Sequence, residues 1–405
     1  MEKAPKSMRL HIGIFGRRNV GKSSLINAIV NQNISIVSEV AGTTTDAVEK
    51  SMEMLPLGPV TLIDTAGIDD VGDLGEQRVQ KSQQIIERTD VALIVCDFDG
   101  WSDYEKNLAK TFNDKKIPII AVINKNDIFE ISEEKFEEIK AETTYQIRLS
   151  AKNDKDITAR IKEGLIRIAP EDFINPPAIL ENLVVPDDTV ILVTPIDKEA
   201  PKGRLILPQV NVLRELLDNR CVAVVVTEHN LKQAIESLKN PPKLVITDSQ
   251  AFKIVSEITP ENVPLTSFSI LFARLKGDLK TFVEGVRAIE NLKDGDRVLI
   301  CESCSHHAIE DDIGRVKIPA LIKRKTGKSL TFEHVVSHDM IKNIADYAMI
   351  IHCGGCMTNR REILSRIAKA KSAGVPITNY GITISYCLGI LSRAIEPLYK
   401  QGDGI

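Results

Sequence analysis

The fold is decided by the stretch Gly16-Arg-Arg-Asn-Val-Gly21-Lys22-Ser23, which matches the phosphate-binding pattern G-x-x-x-x-G-K-[ST]. An apolar run precedes it and predicts a buried strand over Leu10–Phe15, and a helix is predicted over Lys22–Val30. A glycine-rich loop in this position lets backbone N–H groups surround phosphate oxygens at the positive end of a helix dipole. The stretch therefore predicts a P-loop nucleotide site.

Two side chains of this loop carry specific roles. We expect Lys22 to reach the β- and γ-phosphates, and the Ser23 hydroxyl to hold Mg²⁺. The remaining predicted nucleotide contacts of the loop are Gly16, Asn19, Val20, Gly21 and Ser24.

Three further motifs follow in order, each at the end of a predicted strand. In Asp64-Thr-Ala-Gly67, the aspartate supports Mg²⁺ and the Gly67 N–H can meet the γ-phosphate. The motif Asn124-Lys125-Asn126-Asp127 resembles the guanine-reading motif of small GTPases, whose aspartate accepts from the N1 and N2 hydrogens of guanine. Ser150-Ala151-Lys152 lies where the last guanine-contacting loop of that family is expected. Together the motifs predict GTP binding and its hydrolysis to GDP.

Residues of the phosphate loop and of the first switch indicate one branch of the GTPases. Asn19 and the run Gly42-Thr43-Thr44-Thr45-Asp46 resemble the TrmE–Era branch of GTPases. This resemblance implies that Asn19 helps to bind K⁺, and that Thr44 approaches Mg²⁺ in the GTP state. The catalytic set is then Lys22, Thr44, Asp64 and Gly67. Ile68 stands where Ras-like proteins have a catalytic glutamine, so unaided hydrolysis is expected to be slow.

The rest of the chain continues the alternation of short apolar runs with amphipathic stretches. This pattern predicts an α/β protein with mostly parallel sheets, in which a P-loop GTPase fold is followed by two more α/β domains. Proline-rich sequence near residues 169–178 marks the first boundary. We expect a GTP-binding domain over 1–170, a second domain over 180–270 and a third over 275–405. No repeat of fixed period is visible.

Composition limits the function further. The chain has 405 residues, a net charge of −4 and only 4% aromatic residues, which argues against nucleic-acid binding. No apolar run is long enough for a membrane span, and Met1–Arg9 has no export signal, so a cytoplasmic protein with reduced thiols is expected. We interpret Cys96, Cys221 and Cys387 as core thiols.

Cysteine and histidine concentrate in two short segments, Cys301-Glu-Ser-Cys304-Ser-His306-His307 and His352-Cys353-Gly-Gly-Cys356. Three interpretations are open. The four cysteines can form a structural zinc site, although their separation is longer than in zinc ribbons. Cys304, Cys353 and Cys356 can instead hold an iron–sulfur cluster with a replaceable fourth ligand. The third alternative is a set of structural thiols.

The pattern Cys304-x-His306 … His352-Cys353-x-x-Cys356, downstream of GTPase motifs, resembles the signature of the HydF family. Members are GTPase scaffolds in the maturation of FeFe-hydrogenases. The resemblance implies a [4Fe–4S] cluster on Cys304, Cys353 and Cys356, with His306 and His352 as candidate fourth ligands or hydrogen-bond partners of ligands. It leaves Cys301 without an assigned role.

The same resemblance implies a set of partners. The protein would form a homodimer through residues 180–270, receive a transient 2Fe precursor after the radical-SAM maturases HydE and HydG, and deliver it to apo FeFe-hydrogenase. Two rival functions remain. One is an Era-like GTPase of ribosome or tRNA biogenesis with a structural zinc site, and the other is a GTP-dependent metallochaperone for a different metal centre.

Overall fold

The structure, a computed structural model, describes residues 5–31, 36–40, 48–65, 75–97, 100–128, 130–195, 205–302, 312–336 and 343–399. The chain divides into two compact units, Met1–Pro176 and Pro177–Ile405. Both units are α/β, as the sequence predicts. In the described ranges, no helix is long and apolar enough to cross a membrane.

The first unit is built on a seven-stranded sheet. Its strands are β1 (Leu10–Phe15), β2 (Ile36–Val40), β3 (Val48–Met54), β4 (Gly58–Asp64), β5 (Val91–Cys96), β6 (Ile119–Ile123) and β7 (Tyr145–Arg148). Its helices are α1 (Lys22–Asn31), α2 (Gly75–Arg88), α3 (Asp103–Asp114), α4 (Glu133–Glu142), α5 (Ile157–Ile168) and α6 (Glu171–Ile174). The strand order is β2-β3-β4-β1-β5-β6-β7, and all neighbours from β4 to β7 are parallel.

The central strands of this sheet have no polar face. Every residue of β1 and of β5 is buried, because separate hydrophobic clusters cover the two faces of the sheet. A parallel strand covered on both sides is largely apolar. β1 follows this rule except at the buried His11, so a mostly apolar run predicts Leu10–Phe15 correctly. The predicted P-loop fold of this unit is confirmed.

Sequence patterns miss the two outer strands, β2 and β3. β3 runs antiparallel to β4, with Val48 opposite Asp64 and Met54 opposite Gly58. Ser51, Met52 and Met54 are buried in it, whereas Val48 and Glu53 are exposed and Glu49 and Lys50 are half-buried. Because three of its seven residues are charged, β3 does not stand out in the sequence as a continuous apolar run.

The second unit contains two four-stranded parallel sheets. The strands are β8 (Thr189–Val193), β9 (Val222–Val226), β10 (Leu244–Thr247), β11 (Leu265–Ser267), β12 (Arg297–Glu302), β13 (Thr331–Val336), β14 (Met349–His352) and β15 (Ile377–Asn379). The helices are α7 (Leu207–Asp218), α8 (Leu231–Ser237), α9 (Phe252–Ile258), α10 (Phe268–Lys276), α11 (Leu279–Val286), α12 (Ile318–Thr326), α13 (Arg360–Ser372), α14 (Tyr380–Cys387) and α15 (Leu391–Ile395).

The two sheets of this unit repeat one topology. Their orders are β9-β8-β10-β11 and β13-β12-β14-β15, so in each sheet the second strand is outermost, followed by the first, third and fourth. The register repeats as well. Thr247 pairs with Val193 and Ser267, just as His352 pairs with Cys301 and Asn379.

Sequence supports this internal repeat once the structure aligns it. Pro264-Leu-Thr-Ser-Phe-Ser-Ile270 corresponds to Pro376-Ile-Thr-Asn-Tyr-Gly-Ile382, and both segments lead from the fourth strand into a helix. In both, the last strand residue caps the helix by accepting from the N–H three residues on. The spacing between equivalent residues changes from strand to strand, so no fixed period is visible in the sequence.

The two sheets also share a core. One hydrophobic cluster includes Ile191 and Val245 of the first sheet together with Ile300 and Ile350 of the second. The predicted boundary at residues 270–275 lies inside helix α10. The assignment of 180–270 to dimerisation and 275–405 to cluster binding therefore stays a prediction about two parts of one compact unit.

The close contact between α11 and β15 gives a test of this core. A Cβ atom on Gly285 would lie 2.0 Å from the carbonyl oxygen of Ile377, which is backbone and cannot rotate away. We expect Gly285→Ala to lower the free energy of unfolding by about 1–3 kcal/mol, as overpacking does. Urea unfolding followed by circular dichroism measures it.

The matched control is Glu284→Ala, because Glu284 is the exposed neighbour on the same helix. It should change the free energy of unfolding by less than about 0.5 kcal/mol. Equal unfolding midpoints for the two variants would contradict the proposed packing.

Candidate functional sites

The predicted phosphate loop connects β1 to α1, as its motif requires. Lys22 is only 6% exposed, and its Nζ donates to the carbonyl oxygens of Gly16 and Arg17. Val20 is buried, whereas Ser23 and Ser24 are exposed in the first turn of α1. The lysine is thus held inside the loop, with the first turn of the helix open to a phosphate.

Asn124 joins this loop to the base-reading segments. Its Nδ2 donates to the Val20 carbonyl over 2.7 Å, and its Oδ1 accepts from the Ala151 N–H over 2.9 Å. Gly21 leaves the space for this contact, since a Cβ there would lie 2.2 Å from Asn124 Nδ2. One amide side chain therefore sets the distance between the phosphate loop and the Ser150–Lys152 segment.

Asp127 lies exposed at the mouth of the site. Its carboxylate accepts from Asn153 Nδ2 over 2.7 Å, and a hydrogen bond from Ser150 is the main cause that lowers its pKa. Lys125 has a positive φ of 62° and donates from Nζ to Asp97 Oδ2 over 3.0 Å. The carboxylate of Asp127 is thus ionised and positioned as an acceptor, while Lys152 lies exposed beside it.

Sequence reasoning missed the residues that hold the loop from behind. Arg17 Nε donates to Glu105 Oε1 over 3.0 Å, and the Glu105 side chain is fully buried in α3. Arg17 also donates to the Gly100 carbonyl. The variable positions of a P-loop carry no motif, and a lone glutamate in a helix gives no signal for this role.

Of the other predicted nucleotide residues, the structure describes Asp64 and Asn19. Asp64 ends β4 directly opposite Ile14 of β1, beside the phosphate loop, as its predicted Mg²⁺ role needs. Asn19 has a φ of 64° and is exposed in the loop, and its K⁺ role stays a prediction. The predicted switch residues Thr44 and Gly67 lie outside the described residues.

The second candidate site is the loop that follows β14. Cys353 and Cys356 are both half-buried, and Cys353 Sγ accepts from the Gly355 N–H over 3.5 Å. Gly355 has a φ of 63°, and a Cβ there would lie 2.4 Å from the Ile363 side chain. A glycine is required here because of the positive φ and because of the close approach of Ile363. This backbone conformation directs the Gly355 N–H at Cys353 Sγ.

Lys276, at the end of α10, lies buried beneath this loop. Its Nζ donates to the carbonyls of Gly355 and Thr358, both over 2.9 Å, and to that of Cys356 over 3.4 Å. Burial lowers the pKa of Lys276 to about 8, and the nearby thiols of Cys356 and Cys353 act in the opposite direction. A cation is thus held against the loop that presents the thiols.

His352 is committed to the protein through both ring nitrogens. Nδ1 donates to the Cys353 carbonyl over 2.7 Å, and Nε2 accepts from Arg366 Nη1 over 2.9 Å. Arg366 is itself paired with Glu362 at 2.8 Å, and both side chains are only 6% exposed. Burial, and then Arg366, lower the pKa of His352 to about 4. The neutral ring holds the loop, which favours a supporting role over direct metal ligation.

Cys353 and Cys356 border a cavity of about 210 Å³. It is lined by strand ends and helix starts from both sheets of the second unit, including Phe268, Glu302, Asp312 and Tyr380. Among the described residues no group of three or more metal-binding side chains is present. Two of the three predicted cluster ligands are therefore brought together, while Cys304 and His306 lie outside the described residues.

The described thiols, Cys353 and Cys356, fit the ligation of an iron–sulfur cluster. Two accessible thiols at C-x-x-C spacing lie on a glycine loop with a buried cation behind it, which compensates negative charge on thiolates and cluster sulfurs. Cys301 differs, since it is fully buried in β12 and burial raises its pKa to about 12. That environment disfavours a thiolate ligand and fits a core thiol.

Of three further cysteines, Cys96 and Cys221 are buried and Cys387 is half-buried. Burial raises the pKa of Cys96 to about 12 and that of Cys387 to about 11. Cys221 is buried and donates from Sγ to the Val185 carbonyl. These surroundings fit the predicted core roles.

Three family models match the chain. Residues 11–125 match a GTPase domain model described as 50S ribosome-binding GTPase. Residues 179–277 match the hydrogen maturase F dimerization domain, and residues 280–397 match the hydrogen maturase F tetramerization domain. The first unit thus contains a GTPase domain, and the last two matches cover most of the second unit.

Curated relatives match part of the chain. GTPase Der of Wolinella succinogenes is 33% identical over 181 residues, which are 42% of this chain and 37% of that protein. The tRNA modification GTPase MnmE of Desulforamulus reducens is 39% identical over 117 residues, which are 28% and 25% of the two chains. The chain spans about a third of the length of the curated relatives that it matches.

Solved structures of GTPases are also similar. Aquifex aeolicus Era bound to GDP and AlF4⁻ has 19% identity and a TM-score of 0.34, covering 61% of this chain and 97% of that one. The G domain of Thermotoga maritima FeoB has 14% identity and a TM-score of 0.29, covering 39% and 98%. Because a GTPase domain is followed by both hydrogen maturase F domains, the chain belongs to the hydrogen maturase F (HydF) family.

Proposed function

We propose that this protein is a GTPase and an iron–sulfur scaffold that receives a 2Fe precursor and delivers it to apo FeFe-hydrogenase. The observation that carries the proposal is the cavity bordered by Cys353 and Cys356, in a chain whose other unit contains a GTPase domain. HydE and HydG would act upstream, as they do in the scheme that the family resemblance implies. The carrier role is separate from the hydrolysis of GTP.

The nucleotide site supplies binding and positioning. Lys22 is held in the loop where it can neutralise the β- and γ-phosphates, and Ser23 and Asp64 support Mg²⁺. Asp127 accepts from the guanine edge, and Asn19 takes part in K⁺ binding. The reaction is attack of water on the γ-phosphate, which yields GDP and phosphate.

The metal site would use Cys304, Cys353 and Cys356. A [4Fe–4S] cluster held by these thiolates would supply an iron that can accept a second metal unit. The protein's part is to hold the thiolates and to shape the cavity in front of them. His352 and Lys276 fix the loop from behind, which leaves the cavity side of Cys353 and Cys356 free of these two contacts.

A homodimer through residues 180–270 has a structural basis in the edge strand β9. Val222 and Val225 of this strand are 52% and 42% exposed, although valine is usually buried. An exposed apolar edge strand presents unpaired backbone groups that a second copy can pair with. The family names of the two matched domains agree with further association of dimers.

Base recognition is tested with Asp127→Asn. An amide cannot accept both guanine hydrogens, but its NH₂ group can donate to the C2 carbonyl of xanthine. We expect the Kd for GTP to rise at least roughly 100-fold and XTP to become the better substrate, since an unpaired polar group at a reading site is costly. Phosphate release with each nucleotide measures the change.

Asp114→Asn is the matched control, because Asp114 is an exposed aspartate at the end of α3. It should leave the preference for GTP unchanged. If the Asp127 variant keeps that preference too, the proposed base contact is wrong.

The ligand assignment is tested by removing single thiols. Anaerobically reconstituted protein should show the broad visible absorbance of sulfur-to-iron charge transfer, and Cys304→Ala, Cys353→Ala and Cys356→Ala should each abolish it. Cys301→Ala should keep the absorbance, because that thiol is a buried core residue. Iron and sulfide analysis of each variant provides the measurement.

Two results would count against this assignment. Loss of absorbance in Cys301→Ala would make that residue a ligand. A colourless wild-type protein that contains stoichiometric zinc would end the cluster proposal.

The supporting role of Lys276 is tested with Lys276→Met, which keeps an unbranched apolar stem and removes the ammonium group. The loop then loses three charge-assisted hydrogen bonds. We expect a chelator to extract iron roughly tenfold faster, given the strength of bonds from charged donors. Stopped-flow absorbance follows the loss of the cluster.

Lys280→Met controls for the loss of one positive charge, since Lys280 is exposed on the next helix. It should release iron at the wild-type rate. Equal rates for all three proteins would show that Lys276 has no such role.

A further inference from the structure

The cavity contains a buried hydroxyl group that the proposed function does not use. Tyr380 Oη is shielded from solvent, and within the described part of the chain it has no hydrogen-bond partner. The side chain lines the cavity together with Cys353. Burial of an O–H group without an acceptor costs free energy. The hydroxyl therefore indicates that an acceptor enters the cavity when the site is occupied.

Gly314 keeps the surroundings of this hydroxyl open. A Cβ atom at residue 314 would lie 2.2 Å from Tyr380 Oη and 2.8 Å from Glu302 Oε1. Any other residue would therefore fill the space beside the phenol. The cavity volume of about 210 Å³ is several times the ~30 Å³ that one water occupies in the liquid, so a ligand of several atoms fits.

The internal repeat shows what the hydroxyl adds. Tyr380 begins α14, and the equivalent first residue of α10 is Phe268, which lines the same cavity. The two helix starts meet where the Gly381 N–H donates to Ser269 Oγ over 3.2 Å, and these residues are again equivalent. An aromatic ring is thus present in both halves. A hydroxyl is present only at the position beside the thiols.

The acidic side chains of the cavity already have partners. Glu302 pairs with Arg315 at 3.6 Å, and Asp312 accepts from the Arg315 N–H over 2.7 Å. Asp248 accepts from Gln209 Nε2 over 2.6 Å. These carboxylates are engaged as acceptors, whereas the phenol of Tyr380 is a buried donor of the lining with no hydrogen-bond partner among the described residues.

We propose that Tyr380 Oη donates a hydrogen bond to the ligand that the cavity holds beside Cys353 and Cys356. The ligand is a metal-bound group with a terminal acceptor atom, such as the nitrogen of cyanide. This inference rests on the proposed function for the metal, but the donor itself belongs to the protein. Tyr380 then orients the incoming unit through its acceptor and discriminates against units that lack one.

The first experiment uses metal-free, full-length protein labelled with ¹³C at the Cζ carbon of tyrosine. The chain has 6 tyrosines, and the resonance that is lost in Tyr380→Phe identifies the site. Thiocyanate is the probe, because it is a small anion with a terminal nitrogen acceptor. We expect the Tyr380 resonance to shift on titration. A Tyr380 resonance that does not move overturns the inference.

The second experiment uses reconstituted, reduced protein titrated with cyanide. We expect Tyr380→Phe to bind cyanide about fivefold more weakly, as for the loss of one hydrogen bond, and to shift the C≡N stretching frequency. Tyr386→Phe is the control, because Tyr386 lies on the same helix and donates to Glu290 instead. It should match wild type. Equal affinities and frequencies in all three proteins overturn the inference.

Failure of the proposed function gives a different result. In that case wild-type protein takes up no iron or sulfide under reconstitution, whereas the thiocyanate titration still decides the role of Tyr380. The Tyr380→Phe variant is expected to fold, since phenylalanine occupies the equivalent position in the other half.

Discussion

The structure depends on the burial of parallel strands on both faces. Strands such as β1 and β14 are fully buried, so their backbone groups must pair within the sheet, and the chain can leave only at the strand ends. The carboxyl ends of parallel strands lie at one edge, where loops are free to carry polar groups. The phosphate loop follows β1, Asn124 follows β6 and Cys353 follows β14. Each site is therefore held in place by the buried apolar strand that precedes it.

The second unit shows how a new site arises when one scaffold is present twice. Equivalent loops follow β10 and β14, so Asp248 corresponds to Cys353 and Ala251 to Cys356. One loop has a hydrogen-bonded carboxylate, whereas the other has two thiols and the glycines between them. The helix starts of both halves meet at the cavity. The first half supplies lining residues such as Phe268, and the second half supplies the thiols of Cys353 and Cys356. The proposed metal site is therefore a property of the pair of sheets.

Sequence alone locates the nucleotide motifs and most parallel strands, because both depend on local patterns. Strand β3 escapes it, since its three charged residues leave no continuous apolar run. The shared core of the two sheets escapes it because contacts between distant segments leave no periodic signal. Lys276 and Tyr380 are missed for a related reason. A single lysine or tyrosine in an apolar helix looks like any other until the fold places it beside the thiols.

Different groups hold the thiol loop in place and provide its reactive atoms. His352 and Lys276 restrain the backbone, and the sulfurs of Cys353 and Cys356 are the reactive atoms. His352 is neutral because Arg366 donates to one nitrogen while the Cys353 carbonyl accepts from the other, so the imidazole has no lone pair to offer a metal. Lys276 bonds to carbonyls of the same loop from the opposite element, α10. Both groups restrain the backbone and leave the sulfurs to face the cavity. An imidazole that ligated iron through Nε2 would first have to lose the hydrogen bond from Arg366, whose guanidinium is buried and paired with Glu362. That cost favours an exchangeable ligand from the cavity side over His352.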